Sequence, residues 1–191
     1  MITVGKRNVA TVIAACLLAA GCGGATGDAG PAGGSSVVST PPSGELTPTD
    51  LAFVELVIPQ NESALAAAQM TLKRPGSDPE LIALAERVDS RYRTELNRLN
   101  EVLATAGLTN SDQHEGHDMP GMITALELEA LDKAQGKAFD DRMGEAFRAQ
   151  FQESLTVAQS ELSAGTAKPV LELGADIERT RAEFLARLGA P

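Results

Sequence analysis

Apolar residues recur every three or four positions from residue 47 onward, the spacing of one face of an α-helix. The first two stripes are Leu51, Val54, Ile58, Asn61, Leu65, Ala68 and Leu72, then Leu81, Leu84, Val88, Tyr92, Leu96, Leu99 and Leu103. Thr47-Pro48 and the capping-box spacing of Ser77-Asp78-Pro79-Glu80 supply start signals. We predict two long helices, separated by Pro75-Gly76, with a kink in the first at Pro59.

The second half of the chain predicts three more helices. A short helix starts at Thr124, whose spacing to Glu127 fits a capping box, and breaks near Gly136. Two long helices follow at about residues 137–162 and 167–188, with Gly165 between them. Since no strand-like alternation competes with these patterns, the predicted fold class is all-α.

The two halves of the chain also resemble each other. A shift of 90 positions aligns Asp50 with Asp140, Gln60 with Gln150, Leu65 with Leu155, Ala68 with Ala158 and Gln69 with Gln159. Two repeated helix pairs bury their stripes against each other as a four-helix bundle, with the short helix in the long crossover. The alternative is that Ala- and Gln-rich helices align by chance.

The N-terminus carries targeting signals. Lys6-Arg7 precedes an apolar run over residues 9–20, which has the length of a signal-peptide core and is too short to span a bilayer. The run ends in Leu18-Ala19-Ala20-Gly21-Cys22, which resembles the lipobox of bacterial lipoproteins, although Ala19 stands where Leu is usual. We predict a signal peptide over residues 1–21 and a lipidated Cys22 that anchors the protein to the extracytoplasmic face of the membrane. An ordinary secretory signal with a chance cysteine is the alternative.

Composition divides the mature chain into a tether and one domain. Residues 22–46 are rich in Gly, Ser, Pro and Ala, which predicts a flexible tether, and residues 47–189 form the bundle. Cleavage removes Cys16, so no internal disulfide is possible. It also removes two positive charges and takes the net charge from −10 to −12. Such an acidic chain is not expected to bind nucleic acid.

Several short motifs occur together in an order that resembles a known family. The residues are Asp50, Phe53, Glu55-Leu56, Ile58, Glu62, Ala64 and Ala68, then Gly116-His117-Asp118-Met119-Pro120-Gly121-Met122, then Leu126, Leu131, Ala134, Gly136, Phe139 and Asp140. Over residues 47–188 the chain is similar to the domain-of-unknown-function 305 family. The resemblance implies a ferritin-like four-helix bundle from a bacterial secreted or lipid-anchored protein.

The resemblance also implies a metal site, which this sequence has lost. The family carries an inward His-His pair in the first helix of each half, with Glu and Met in the partner helix, and its members are associated with copper. The matching pairs here are Gln60-Asn61 and Gln150-Phe151, the matching Glu positions are Glu95 and Glu183, and Leu99 replaces Met. Since an amide is a poor ligand for a transition metal and a phenyl ring is none, we expect a degenerate central site.

The crossover holds the remaining metal-binding chemistry. His114, His117, Met119 and Met122 lie within nine residues, and imidazole and thioether are copper ligands. We therefore predict that the crossover of this envelope lipoprotein binds copper or a similar soft metal such as silver, with copper as the candidate cofactor. The alternatives are that Met119 and Met122 only cover the bundle end, and that the protein is a metal-free structural or protein-interaction module. No enzyme is predicted, because no Glu-x-x-His lies on a core helix and both histidines lie in one loop.

Overall fold

The computed structural model describes residues 45–110 and 118–189. The helices are α1 (Pro48–Lys73), α2 (Pro79–Thr105), α3 (Ala125–Lys133), α4 (Lys137–Ala164) and α5 (Lys168–Arg187). These two stretches contain no strand, so the predicted all-α class is confirmed. None of their helices is long and apolar enough to cross a membrane. The predicted signal peptide, Cys22, most of the tether, His114 and His117 lie outside the described residues.

The helix starts follow from their capping residues. Thr47 caps α1 and Thr124 caps α3, each within a capping box whose second members are Asp50 and Glu127. The box expected at Ser77 does not form. The cap of α2 is Asp78, whose carboxylate accepts from the backbone amides of Glu80 and Leu81, because Pro79 then falls in the first helical turn, where its missing N–H costs nothing.

The long helices form the expected bundle. α1 packs against α2 and α4, and α5 packs against α4 and α2, so the four helices enclose a common interior. α3 lies against α4. α1 continues through Pro59 to Lys73. The predicted stripe is wrong at its end, where Leu72 is exposed, because Thr71 takes the buried position and donates to the Ala67 carbonyl.

The apolar core is divided into two parts. One cluster contains Phe53, Val54, Val57, Ile58, Leu99, Leu103, Ala158, Val170, Leu173 and Ile177. The other contains Ala64, Ala67, Ala68, Leu81, Leu84, Ala85, Val88, Tyr92, Ile123, Leu131, Ala134, Phe139, Met143, Phe147, Phe151 and Phe184. Each long helix contributes to both clusters. Between its residues of one cluster and its residues of the other lies a buried polar residue. These polar residues are Asn61, Glu95, Ser154 and Arg181.

A pair of carboxyl groups lies beyond the first cluster, where α1 begins and α4 ends. Asp50 accepts from the backbone amides of Thr166 and Ala167 at 2.9 and 3.0 Å, and from both the amide and the hydroxyl of Thr47. Burial alone would raise the pKa of Asp50, but these hydrogen bonds lower it to about 2. Glu161 lies against Asp50, and burial together with this neighbour raises its pKa to about 7. Glu161 is therefore the member of the pair that holds a proton.

This pair predicts that stability falls as pH rises through the range from 4.5 to 7. The folded state binds the Glu161 proton more tightly than the unfolded chain does, so its stabilisation is complete below pH 4.5 and is lost as pH rises through about 7. Asp50 affects stability in a different pH range. Its lowered pKa stabilises the folded state above about pH 3.8, and this stabilisation is lost as pH falls toward 2. Urea unfolding of the wild type should show a loss of about 1–3 kcal/mol between these limits.

The Glu161→Gln variant should lose most of this dependence, because its amide fills the same space but does not titrate. Glu145→Gln, at an exposed position of the same helix, is the matched control and should keep the wild-type profile. An unchanged slope in Glu161→Gln would contradict the assignment of the proton to Glu161.

Candidate functional site

A guanidinium group occupies the centre of the bundle. Arg181 of α5 is fully buried and makes four hydrogen bonds, reaching one residue on each of the other long helices. Nε donates to Ser154 Oγ of α4 at 3.1 Å, and Nη2 donates to Asn61 Oδ1 of α1 at 2.8 Å. Nη1 and Nη2 donate to the two carboxylate oxygens of Glu95 of α2 at 3.0 and 2.6 Å. Arg181 therefore joins all four helices at one level.

The ion pair between Arg181 and Glu95 balances the charge of the interior. The planar guanidinium meets the carboxylate through two parallel bonds, the strongest common arrangement for such a pair. Burial alone would lower the pKa of Arg181, but the neighbouring Tyr92 and Glu95 raise it. The group stays charged in the core. Removing one partner of a buried pair leaves an uncompensated charge and typically costs about 3–5 kcal/mol.

Asn61 completes the network in a way that few side chains allow. Its carbonyl oxygen accepts from Arg181, and its amide nitrogen donates to Glu95 Oε2 at 3.0 Å. An aspartate here could not donate and would add a second negative charge. The amide thus closes a three-membered ring of hydrogen bonds around a charge-neutral centre.

Aromatic side chains form the wall beside this centre. The guanidinium carbon of Arg181 lies 3.9 Å from the centre of the Tyr92 ring, within cation–π distance. The Tyr92 hydroxyl donates to Gln150 Oε1 at 2.7 Å, and burial raises the Tyr92 pKa. Phe151 is fully buried, stacks on Phe147 with ring centres 5.5 Å apart, and packs against Phe184 at 5.2 Å. The two residues matched to the second His-His pair therefore form part of a hydrogen-bonded aromatic wall.

Gln60 is buried like its neighbour Asn61 but faces a different partner. Its side-chain amide donates to the Pro120 carbonyl of the crossover at 2.8 Å, while Asn61 bonds the interior ring. Three residues further on, Ser63 accepts from the Ile123 amide at 3.1 Å. These two contacts dock the crossover on α1.

The docked part of the crossover is a tight turn that brings two methionines together. The Met122 amide donates to the Met119 carbonyl at 3.1 Å, and Gly121 has a φ of 78°. Proline followed by a glycine with positive φ is the pattern of a type II turn, which holds its first and fourth Cα atoms within about 7 Å of each other. Both methionine side chains are partly buried. Met119 and Met122 therefore flank one short, pinned segment.

The interior residues do not fit a transition metal. Glu95 is the one carboxylate among the described residues that contacts the central network, and Arg181 already takes both of its oxygens. Across the described residues, no group of three or more His, Cys, Asp and Glu side chains could hold an ion. A metal in the interior would have to displace a buried cation that is held by four hydrogen bonds.

Sequence reasoning placed some of these residues and missed others. The structure brings Asn61 and Glu95 into direct contact, and it places Gln60 and Gln150 in separate contacts around them. Glu183, the second matched Glu position, is exposed and does not reach the interior, because the buried face of α5 carries Arg181 and Phe184.

Arg181 and Ser154 were not predicted. A signal existed for Arg181, because it continues the spacing of Val170, Leu173 and Ile177 on the α5 stripe. A charged residue on an apolar stripe indicates a buried partner of opposite charge.

Comparisons with known proteins agree with this fold. The model of the family described as "Domain of unknown function (DUF305)" matches residues 49–190. No curated protein matches the sequence. A DUF305 fragment from Deinococcus radiodurans is 19% identical, with a TM-score of 0.67 over 75% of this chain and 95% of that one. CopM in its Cu(II)-bound form is 22% identical, with a TM-score of 0.64 over 73% of this chain and 92% of that one. A DUF305 protein from Streptomyces coelicolor is 15% identical, with a TM-score of 0.66 over 77% of this chain and 91% of that one.

At these low identities the solved structures establish the fold alone. The family match is a separate finding, and it spans the five helices described above together with the crossover. The resemblance read from the order of short motifs is thereby confirmed. This chain belongs to the DUF305 family.

Proposed function

We propose that this protein is a membrane-anchored, extracytoplasmic lipoprotein that binds copper at its crossover rather than in its core. The observation that carries the proposal is the type II turn that holds Met119 and Met122 close together on the surface of the bundle. Binding, and not catalysis, is the role this arrangement supports.

The donor atoms of the crossover suit Cu(I). Thioether sulfur is a soft ligand that selects Cu(I), and imidazole also binds copper. In the sequence, His117 precedes Met119 by two residues and His114 precedes it by five. Four ligands of suitable type are therefore available within nine residues. CopM, which shares the fold, has been solved with Cu(II), Cu(I) and silver bound. Silver is a soft ion like Cu(I), so it is a suitable second probe.

The turn is held in place by packing as well as by hydrogen bonds. A Cβ atom at Gly121 would lie 2.6 Å from Gln60 Nε2 and 2.9 Å from Glu153 Cγ. The backbone therefore approaches α1 and α4 closely at this point. A preorganised segment loses less conformational entropy on binding an ion than a free loop does.

The anchoring part of the proposal comes from the N-terminal sequence. A short apolar run that ends in Leu18-Ala19-Ala20-Gly21-Cys22 is typical of a lipoprotein signal, and a Gly- and Ser-rich tether follows it. The related protein from Streptomyces coelicolor is considered a secreted protein. A location outside the cytoplasm would expose the crossover to copper that enters from the surroundings.

A second candidate function is favoured by the interior. The ion pair of Arg181 and Glu95 fills the centre, so the bundle has no evident need for a metal to fold. Such a bundle could serve as a metal-free structural or protein-interaction module at the envelope. Metal titration separates this candidate from the copper proposal.

Copper binding is tested on the mature domain by anaerobic Cu(I) titration against a chromophoric chelator. We expect a Kd of about 1 μM or tighter for the wild type, and a Kd at least about tenfold weaker for Met119→Leu/Met122→Leu and for His114→Ala/His117→Ala. Met70→Leu, on α1 away from the turn, is the control and should bind like the wild type. Wild-type affinity in the methionine variant would contradict the turn as the site. No binding by the wild type would favour the metal-free module.

The contribution of the turn geometry is tested separately by Gly121→Ala. This variant keeps every candidate ligand, but alanine at positive φ is strained by about 1–2 kcal/mol and its Cβ would clash with Gln60. We expect weaker Cu(I) binding by about three- to tenfold with the same thermal stability of the bundle to within a few degrees. Unchanged affinity would mean that the docked turn is not needed for binding.

Anchoring is tested by expressing the full chain in a bacterium and separating detergent and aqueous phases. The wild type should enter the detergent phase and incorporate a labelled fatty acid, because acyl chains supply strong membrane binding. Cys22→Ser should lose both properties. Cys16→Ser, whose cysteine lies within the predicted signal peptide, should behave like the wild type. Fatty-acid labelling of Cys22→Ser would contradict lipidation at this residue.

A further inference from the structure

We infer that the interior of this bundle is a cation site whose permanent occupant is the Arg181 guanidinium. Asn61 and Glu95, which face the interior from α1 and α2, both accept hydrogen bonds from this group. The side chain thus supplies, from within the chain, the positive charge that the buried carboxylate requires. This inference goes beyond the copper proposal, which concerns the crossover.

The shape of the site selects a guanidinium-type cation. Glu95 presents its two oxygens side by side to two nitrogens, a geometry that matches a planar fork and not a spherical ion. Asn61 and Ser154 accept from the remaining directions in the plane. The Tyr92 ring lies 3.9 Å from the guanidinium carbon. A flat cation fits between these groups, whereas a metal ion would find one carboxylate, one amide oxygen and one hydroxyl.

The position of the site makes its occupant a structural requirement. Ile58, Leu99, Ala158 and Ile177 lie on one side of the polar level, in the first apolar cluster. The second apolar cluster begins on the other side, one turn along each helix. Without a cation, Glu95 would be a buried, uncompensated charge between two apolar layers, which is strongly destabilising. A protein that carries this cation covalently folds without waiting for an ion, unlike domains whose folding requires a bound metal.

The test empties the site and offers a free cation to fill it. Arg181→Ala should lower the Tm by roughly 6–20 °C, because it leaves Glu95 unpaired. Methylguanidinium at about 20 mM should then raise the Tm of this variant by several degrees, since a ligand that binds only the folded state stabilises it. Methylammonium at the same concentration carries the same charge without the planar fork and should give a clearly smaller rise.

A matched control is available between the same two helices. Arg98 of α2 pairs with Asp176 of α5 at 2.6 Å, but both side chains are more than a third exposed. Arg98→Ala should change the Tm by no more than a few degrees and should not respond to methylguanidinium, because an exposed pair is worth little. The inference would be overturned if methylguanidinium raised the Tm of Arg181→Ala no more than it raises the Tm of Arg98→Ala or of the wild type.

A second measurement covers the case in which Arg181→Ala does not fold. In the cycle of Glu95→Gln, Arg181→Met and the double variant, the double variant should be more stable than Arg181→Met, because it buries no unpaired charge. Additive losses would overturn the inference. Neither experiment involves copper, so failure of the crossover to bind copper would leave both readouts unchanged.

Discussion

The bundle depends on one buried ion pair. Arg181 and Glu95 lie between two apolar clusters, and their hydrogen bonds reach Asn61 and Ser154, so that every long helix contributes one residue. Apolar packing alone would tolerate small shifts of one helix along another, because it is not directional. A slide by one turn, about 5.4 Å, would separate Arg181 from Glu95, and among the described residues neither forms another ion pair. The ion pair therefore sets the register in which the apolar residues pack.

Two neighbouring residues on α1 contact different parts of the molecule, one the interior and the other the candidate binding surface. Asn61 bonds the central ring, whereas Gln60 bonds the Pro120 carbonyl of the crossover. In the family resemblance these two positions match one His-His pair. Here one of them stabilises the core and the other docks a segment that carries two thioethers. Adjacent residues of one helix thus link the hydrogen-bond network of the core to the placement of the crossover.

The fold was largely predictable from the sequence because helical spacing and capping are local signals. The stripes of α1 and α2, the capping box at Thr124 and the break near Gly136 all correspond to observed features. Burial of Asn61 also followed from its place on a stripe. The role of Arg181 did not, because its partners are 27, 86 and 120 positions away in sequence and meet it only in the folded bundle. Likewise, the spacing of Ser77 to Glu80 matched a capping box, but Asp78 competed successfully for the same amides.

The crossover is attached to the bundle by two hydrogen bonds and by one core side chain. The hydrogen bonds are Gln60–Pro120 and Ser63–Ile123, neither of which belongs to the central ring, and the Ile123 side chain is buried in the second apolar cluster. Segments held by few contacts open locally at a free-energy cost well below that of global unfolding. The turn with Met119 and Met122 can therefore open locally up to Ile123, which holds the end of the segment in the core. An ion held by this turn would be released by such a local opening, without unfolding of the bundle.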